Sequence, residues 1–367
     1  MASEVKVREP FVRMVKKDTM SNTKSWGIRL IAILISLVVN GVLIYSITGM
    51  SPIDVYVTMY NGVFSTSRQL WSTLFEAGFL LCVAVGLAPA FKMKFWNIGA
   101  EGQVLIGALV TTLIMFYCPE MSNGLLLVTM FVASCVAGGV WALIPAFFKA
   151  KYNTNETLFT LMMNYVAIQL VAAFSAIMSP TSSLSTINSG TQSGWLVDIF
   201  DNFYGNGLNV MIFLVITVLM YVYLSHTKQG YEISVVGESV NTARYAGINV
   251  KKVIMRTMFI SGLVCGVAGF VVVAGKNHTI STTTAGGYGF TAIIVAWLAK
   301  FNPIIMIIFS FFLAFLDKGA SAVATSFNLN EFASEMIIGI ILFFILASEF
   351  FINYKLVFRS SKKKEVK

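Results

Sequence analysis

Long apolar runs parted by short polar stretches make up most of this chain, and the lengths of those runs are what can be read first. A helix rises 1.5 Å per residue, so about 20 apolar residues cross a hydrocarbon core of about 30 Å. By that measure spans fall near 27–49, 70–91, 99–118, 124–148, 157–178, 208–226, 254–275, 286–300, 302–317 and 332–353. The eighth and ninth are short and separated by little more than Lys300-Phe301-Asn302-Pro303. A tight helical hairpin or a partly re-entrant pair is expected there, which lipid tolerates only where protein covers the exposed backbone. The expected fold class is all-α: a polytopic membrane bundle of about ten spans over 27–353, with an N-terminal segment 1–26 before it and a basic tail 354–367 after it.

Composition agrees, with 57% apolar residues, only 12% charged and a mean hydropathy of +0.78. Soluble domains are about a quarter charged, and a transmembrane β-barrel would show short alternating segments instead. The net charge of +9 does not call for a nucleic acid, because Lys and Arg gather at the ends of apolar runs and form no basic stripe with interleaved aromatics. Short cytoplasmic loops retain positive charge. With both termini inside, the cytoplasmic face holds the basic residues up to Arg29, then Lys92 and Lys94, Lys149 and Lys151, Lys228 to Arg256, Lys300, and the tail. Only Arg68, Lys276 and Lys318 are left outside. Shifting the count by one span would destroy that asymmetry, so an even number of spans is expected. The first 26 residues lack the apolar core and cleavage site of a secretory signal and are expected to remain.

Little catalytic material is present. Cys82, Cys118, Cys135 and Cys265 stand singly in or beside apolar runs, and His226 and His278 fall in separate loops. No metal site, disulfide framework or catalytic triad is indicated. No G-x-x-x-x-G-K-[ST] loop occurs, the nearest approach being Gly275-Lys276, so the chain is not expected to bind or hydrolyse ATP itself. Intramembrane charges are costly and therefore candidates for function. Those in or near spans are Glu76, Glu101, Glu156, Asp317, Glu335 and Glu349, most of them close enough to a span end to snorkel.

Two loops exceed simple connectors. The outer loop 179–207 has no Lys or Arg and carries Trp195, Phe200, Phe203 and Tyr204, which suits either an interfacial aromatic belt or a docking surface. The inner loop 227–253 contains GESVNTARYAGI, whose spacing predicts a short helix across the cytoplasmic face closed by Gly247. Val240, Ala243 and Ala246 would form a small apolar face, with Glu238, Asn241, Arg244 and Tyr245 presented to a soluble partner.

Two glycine clusters open spans. In WNIGAEGQ, residues 96–103, Asn97, Glu101 and Gln103 sit where a helix begins; AGGYGF from Ala285 does the same later. Each follows a span rich in small residues, FEAGFLLCVAVGLAPAF running inward and FISGLVCGVAGFVVVAG running outward. That pairing predicts an inverted repeat of the kind that builds a midplane site.

Taken together, WNIGAEGQ, NETLFTLMMNYVA (155–167), GESVNTARYAGI (237–248), SGLVCGVAG (261–269) and GGYGFTAIIVAWLAKFNP (286–303) resemble, over roughly residues 70 to 350, the branched-chain amino acid and simple-sugar class of ABC importer permeases, and within it the nucleoside type. The resemblance implies cytoplasmic ATPase subunits that bind the ATP, a second, related permease and an extracytoplasmic substrate-binding lipoprotein. The chain looks like the longer of the paired permeases. It also implies a coupling helix at Gly237 to Ile248, with Gly237, Glu238, Asn241, Arg244, Tyr245 and Gly247 facing the ATPase, and a pathway along the second to fifth and seventh to tenth spans. For a nucleoside, uncharged hydrogen-bonding groups suit that pathway, and Asn97, Gln103, Asn164 and Tyr165, with Glu101, are the candidates. Glu76 departs from the neutral residue usual at its position. The alternatives are the same architecture importing ribose or another neutral sugar, and a stand-alone secondary transporter, whose intramembrane ion relay the sequence does not display.

Overall fold

The computed structural model describes residues 12–17, 21–179, 185–196 and 203–358. Parts of the N-terminal segment (1–11, 18–20), of the outer loop (180–184 and 197–202, with Phe200) and of the basic tail (359–367) lie outside the described residues.

A short strand β1 (Val12–Lys16) is followed by α1 (Asn22–Thr48), α2 (Pro52–Phe64), α3 (Ser67–Lys92), α4 (Ala100–Tyr117), α5 (Asn123–Tyr152), α6 (Glu156–Met178) and α7 (Gly207–His226). Then come α8 (Lys228–Glu238), α9 (Val240–Tyr245), α10 (Val250–Val272) with a π-helical turn Val273–Asn277, α11 (Tyr288–Leu298), α12 (Pro303–Ser326), α13 (Glu331–Asn353) and β2 (Tyr354–Phe358). Side-chain caps fix several starts: Thr66 Oγ1 accepts from Gln69 N, Asn155 Oδ1 from Thr157 and Leu158 N, and Asn249 Oδ1 from Lys252 N. Each satisfies donors that the first turn leaves without an intrahelical partner.

Among the described residues nine helices are long and apolar enough to cross a bilayer. The eighth expected span is the exception, since α11 has 11 residues and reaches only about 16 Å. The ninth is longer than expected, because α12 continues to Ser326, and α2 is a 13-residue helix that the run lengths did not announce.

The chain divides into two compact units, Met1–Asn61 with Gly319–Lys367, and Gly62–Lys318. In the first, α1 packs on α13, Arg29 pairs with Glu349, and Asn40 Nδ2 donates to the Ile337 carbonyl at 3.1 Å. The outer face of α1 exposes Leu30, Ile31, Leu34, Val38 and Val42, a stripe that only lipid or an apolar partner can cover. β1 and β2 pair antiparallel, with Val12 opposite Phe358 and Lys16 opposite Tyr354. That two-stranded ribbon is an addition to the all-α expectation, and it places the two ends of the described chain on one side.

In the second unit α3 is the core helix, buried continuously from Ala77 to Phe91. α10 packs between α3, α4 and α5, with α6, α7 and α11 around them. Small residues let α10 and α5 touch backbone to backbone. A Cβ on Gly262 would strike the Gly138 carbonyl, and one on Gly266 the Ser134 carbonyl. Such small-residue seams hold apolar helices together where no hydrophobic drive between them exists.

The short α11 still completes a crossing. Before it, Lys276 pairs with Glu76 of α3; at its end, Trp297 lies with ring centroids 6.3 Å from Phe91 of α3. Glu76 and Phe91 are fifteen residues apart on one helix, about 22 Å of rise. The passage from residue 276 to 297 therefore traverses the bundle, part as loop and part as helix. Among the described residues nine helices, and not the ten expected, are by themselves long and apolar enough to cross, because the eighth expected span is only partly helical.

Candidate translocation site and coupling surface

The two glycine clusters meet. The N-terminus of α4 and the N-terminus of α11 converge on one carboxylate: Glu101 Oε1 accepts from Gly287 N at 2.9 Å and Oε2 from Gly289 N at 2.8 Å. A helix start carries unpaired N–H groups and a partial positive charge, so a carboxylate suits it. Gly287 adopts φ +73°, and a Cβ on Gly289 would lie 2.7 Å from Glu101 Cα; both glycines serve this close crossing. The helix start after loop 93–99 and the one after loop 278–287 thus meet at a single residue.

Asn97, Gln103 and Asn164 are fully buried and act as a bracket for the first loop. Asn97 Oδ1 accepts from Gly99 N at 3.0 Å and from Gln103 Nε2 at 3.3 Å, while its Nδ2 donates to Ser261 Oγ at 3.4 Å. Asn164 Oδ1 accepts from Gly102 N at 2.9 Å and its Nδ2 donates to the Ile98 carbonyl at 2.8 Å. Thr160, which sequence reasoning passed over, joins them by accepting from Ile98 N at 3.1 Å. Asn97, Asn164 and Thr160 are committed to protein, whereas Gln103 spends its Nε2 on Asn97 and keeps a buried Oε1 without a protein partner. Tyr165 does not belong here: one residue on from Asn164, it turns outward and is 59% exposed.

A second polar cluster lies toward the other end of α3. Glu76 Oε1 is bonded to Lys276 Nζ and stands 3.3 Å from Lys318 Nζ, and Tyr288 Oη donates to Asp317 Oδ2 at 3.2 Å. Lys276 Nζ also sits 4.5 Å from the centre of the Phe75 ring, a cation–π contact. The charges balance, and two of the three basic residues that broke the inside-positive pattern are explained as Glu76's counterions. Snorkelling was the wrong account for Glu76, Glu101, Glu156 and Glu349, which pair with lysines, backbone N–H groups, Lys149 and Arg29 respectively. Glu76→Gln is expected to lower stability by about 2 kcal/mol, reduced from the 3–5 kcal/mol of a fully buried pair because the lysine heads are partly exposed. Thermal unfolding in detergent checks this, and a Glu76→Gln/Lys276→Met double variant should recover part of the loss.

The outer loop is stitched to these elements. Trp195 stacks on His278 with centroids 3.7 Å apart and donates Nε1 to the Ile187 carbonyl at 3.0 Å. Phe203 packs on Trp71, so two of the loop's four aromatics are used internally.

The predicted coupling segment is not one helix. α8 ends at Glu238, Ser239 is extended and caps α9 by accepting from Thr242 N, and α9 is six residues long. Gly247 has φ +74° as the closing residue. Only Ala243 of the expected apolar face is buried; Val240 and Ala246 are exposed along with Glu238, Asn241, Arg244 and Gly247, and Tyr245 is 93% exposed. Gly237 instead packs into the bundle, its α-carbon against the Lys92 carbonyl at the end of α3. Arg256 Nη2 of α10 holds Glu232 Oε2 of α8 at 2.9 Å. Beside α9 opens a cleft of about 870 Å³ lined by Lys94, Lys149, Lys151, Arg244 and Lys251 with Glu156 and Glu238.

A span and a partly helical crossing joined at Glu101, inside an apolar bundle with an exposed basic surface at one end, suit a transport permease. Residues 69–346 match the sequence profile of the branched-chain amino acid transport system permease component, and the chain belongs to that family. It is 29% identical to the glucose ABC transporter permease protein TsgB13 of Haloferax volcanii, over 90% of each chain. It is 28% identical to the guanosine ABC transporter permease protein NupP of Bacillus subtilis, covering 87% of this chain and 92% of that one, and 25% identical to the nucleoside ABC transporter permease protein NupB of Lactococcus lactis, covering 89% and 92%. No solved structure matches.

Proposed function

We propose that this chain is the longer of two paired permeases in an ATP-driven importer of nucleosides, working with cytoplasmic ATPase subunits and an extracytoplasmic substrate-binding lipoprotein. The observation that carries the reading is full-length similarity to permeases named for guanosine and nucleosides. The loop before α11 leaves the uncharged side chains of Ser281, Thr282 and Thr283 exposed, which suits a neutral, hydroxylated solute. The same chemistry, with the similarity to a glucose permease, favours a neutral sugar as the second reading.

In this account the exposed α9 seats in the ATPase, and ATP binding draws it toward its counterpart on the paired permease. Two contacts relay the motion: Gly237 against the end of α3, and Glu232–Arg256 to α10. These are the helices that lead into the two loops meeting at Glu101, so a tilt of either changes that crossing. The mechanism is alternating access. Uptake by cells deleted for this chain and its partners tests the substrate: labelled guanosine and uridine uptake should fall while glucose and ribose uptake persists. The reverse pattern replaces the nucleoside reading with the sugar one.

A further inference from the structure

We propose that the segment from Ser281 to Gly287 is the outer wall of the solute path, with the Thr282 and Thr283 hydroxyls touching the solute and Glu101 pinning the wall's inner end. The inference rests on the permease reading but not on which neutral solute is carried.

The argument begins from depth. His278 is tied near the outer end of α4: its carbonyl accepts from Ile187 N at 2.9 Å, and the adjacent Asn188 Nδ2 donates to the Met115 carbonyl at 2.9 Å. Gly287 is tied to Glu101 at the other end of the same helix. Fourteen residues of α4 separate Glu101 from Met115, about 21 Å of rise. The segment between those ties descends through the outer part of the bundle as turns and not as helix. Backbone of that kind survives at membrane depth only when it is buried in protein or faces water. Ser281, Thr282, Thr283 and Gly286 are exposed, so burial within this chain does not account for them.

Side-chain chemistry then says what passes. Ser281 N donates to Thr284 Oγ1 at 2.8 Å, and Ser281 Oγ lies 3.1 Å from Thr283 Oγ1. These bonds shape the turn and leave uncharged hydroxyls outward; of Ser281 and Thr283 one spends its proton on the other, and both keep acceptor lone pairs for a solute. Such a surface binds hydroxyl and amide groups of a neutral polar solute weakly enough to release them. Below it the Glu101 carboxylate is occupied by Gly287 and Gly289 N–H, which makes it a positioning residue and keeps its charge off the solute.

Cysteine scanning in the complete importer, in membranes, provides the test. Cys82, Cys135 and Cys265 are buried, and Cys118→Ser removes the remaining thiol. Thr282→Cys and Thr283→Cys should react with a membrane-impermeant cationic thiol reagent at least about tenfold faster than Val218→Cys on the apolar face of α7, because thiolate forms in water and not in hydrocarbon. Saturating guanosine, uridine, glucose or ribose should slow that reaction, whichever is the transported solute. Protection by a sugar alone would keep the wall and overturn the nucleoside reading. Rates no faster than Val218→Cys, as when a second permease seals the segment, would overturn the wall; so would fast labelling that none of the four solutes slows. The isosteric Thr283→Val should raise the half-saturating solute concentration by about fivefold with little change in maximal rate, the size of one neutral hydrogen bond. Unchanged saturation in both Thr282→Val and Thr283→Val would count against contact in the same way.

Discussion

Gly266→Leu is expected to leave no folded permease in the membrane. A Cβ at this position meets the Ser134 carbonyl of α5, and Gly107 of α4 already approaches Gly266 so closely that its own Cβ would lie 2.7 Å from Gly266 Cα. The obstructing atoms are backbone, so no side chain can swing away, and α4, α5 and α10 would have to separate together. Overpacking a side-chain core costs about 1–3 kcal/mol; displacing three helices approaches the whole stability of about 5–15 kcal/mol. Gly266→Ala should give a reduced amount of intact protein and Gly266→Leu none, read from protease-resistant protein in isolated membranes. Normal amounts of Gly266→Leu would mean that the α5–α10 seam is not the close contact described.

Tyr245→Ala combined with Arg244→Ala should abolish uptake without touching the fold. Both side chains are exposed, and surface changes of this kind shift stability by about 0.5 kcal/mol or less. Tyr and Arg are residue types that dominate interfaces, each worth about 2 kcal/mol or more when truncated. Together they should weaken ATPase docking on the order of a thousandfold. The measurement is solute uptake beside ATP hydrolysis in the complex: membrane insertion and unfolding temperature stay unchanged, while hydrolysis persists without transport or the ATPase dissociates. Normal uptake by the double variant would remove α9 as the coupling surface.

Much of the architecture was written in run lengths and basic residues. Spans α3 to α7 follow from them to within a few residues, because a bilayer imposes one length on every crossing. α11 fails that test for a physical reason: its crossing is shared with the loop before it, and a window tuned to 20 apolar residues cannot register half a helix. The β1–β2 ribbon joins residues more than 300 positions apart, a pairing no local pattern encodes. In the site, the glycines and Glu101 were found because small residues beside a carboxylate at a span start are uncommon in lipid. Asn97, Gln103 and Asn164 drew notice as pathway groups, yet Asn97 and Asn164 spend their hydrogen bonds on the loop and on Ser261 of α10, and of the three only Gln103 keeps an oxygen without a protein partner. Tyr165 was placed beside Asn164 in sequence and faces the other way, since neighbours on a helix differ by about 100°. The Glu76 cluster was legible in principle: an intramembrane acid and two stray outer lysines are each other's explanation.

The thiol-accessible wall and the coupling surface both depend on a permease that moves solute only when an ATPase works it. Reconstitution of this chain in sealed vesicles measures that dependence directly. Vesicles holding the chain, its paired permease and the ATPase subunits, supplied with ATP and the binding protein, should accumulate labelled nucleoside, and omission of the ATPase or of ATP should stop accumulation. Solute accumulation by the purified chain alone, driven by an ion gradient, would contradict the account.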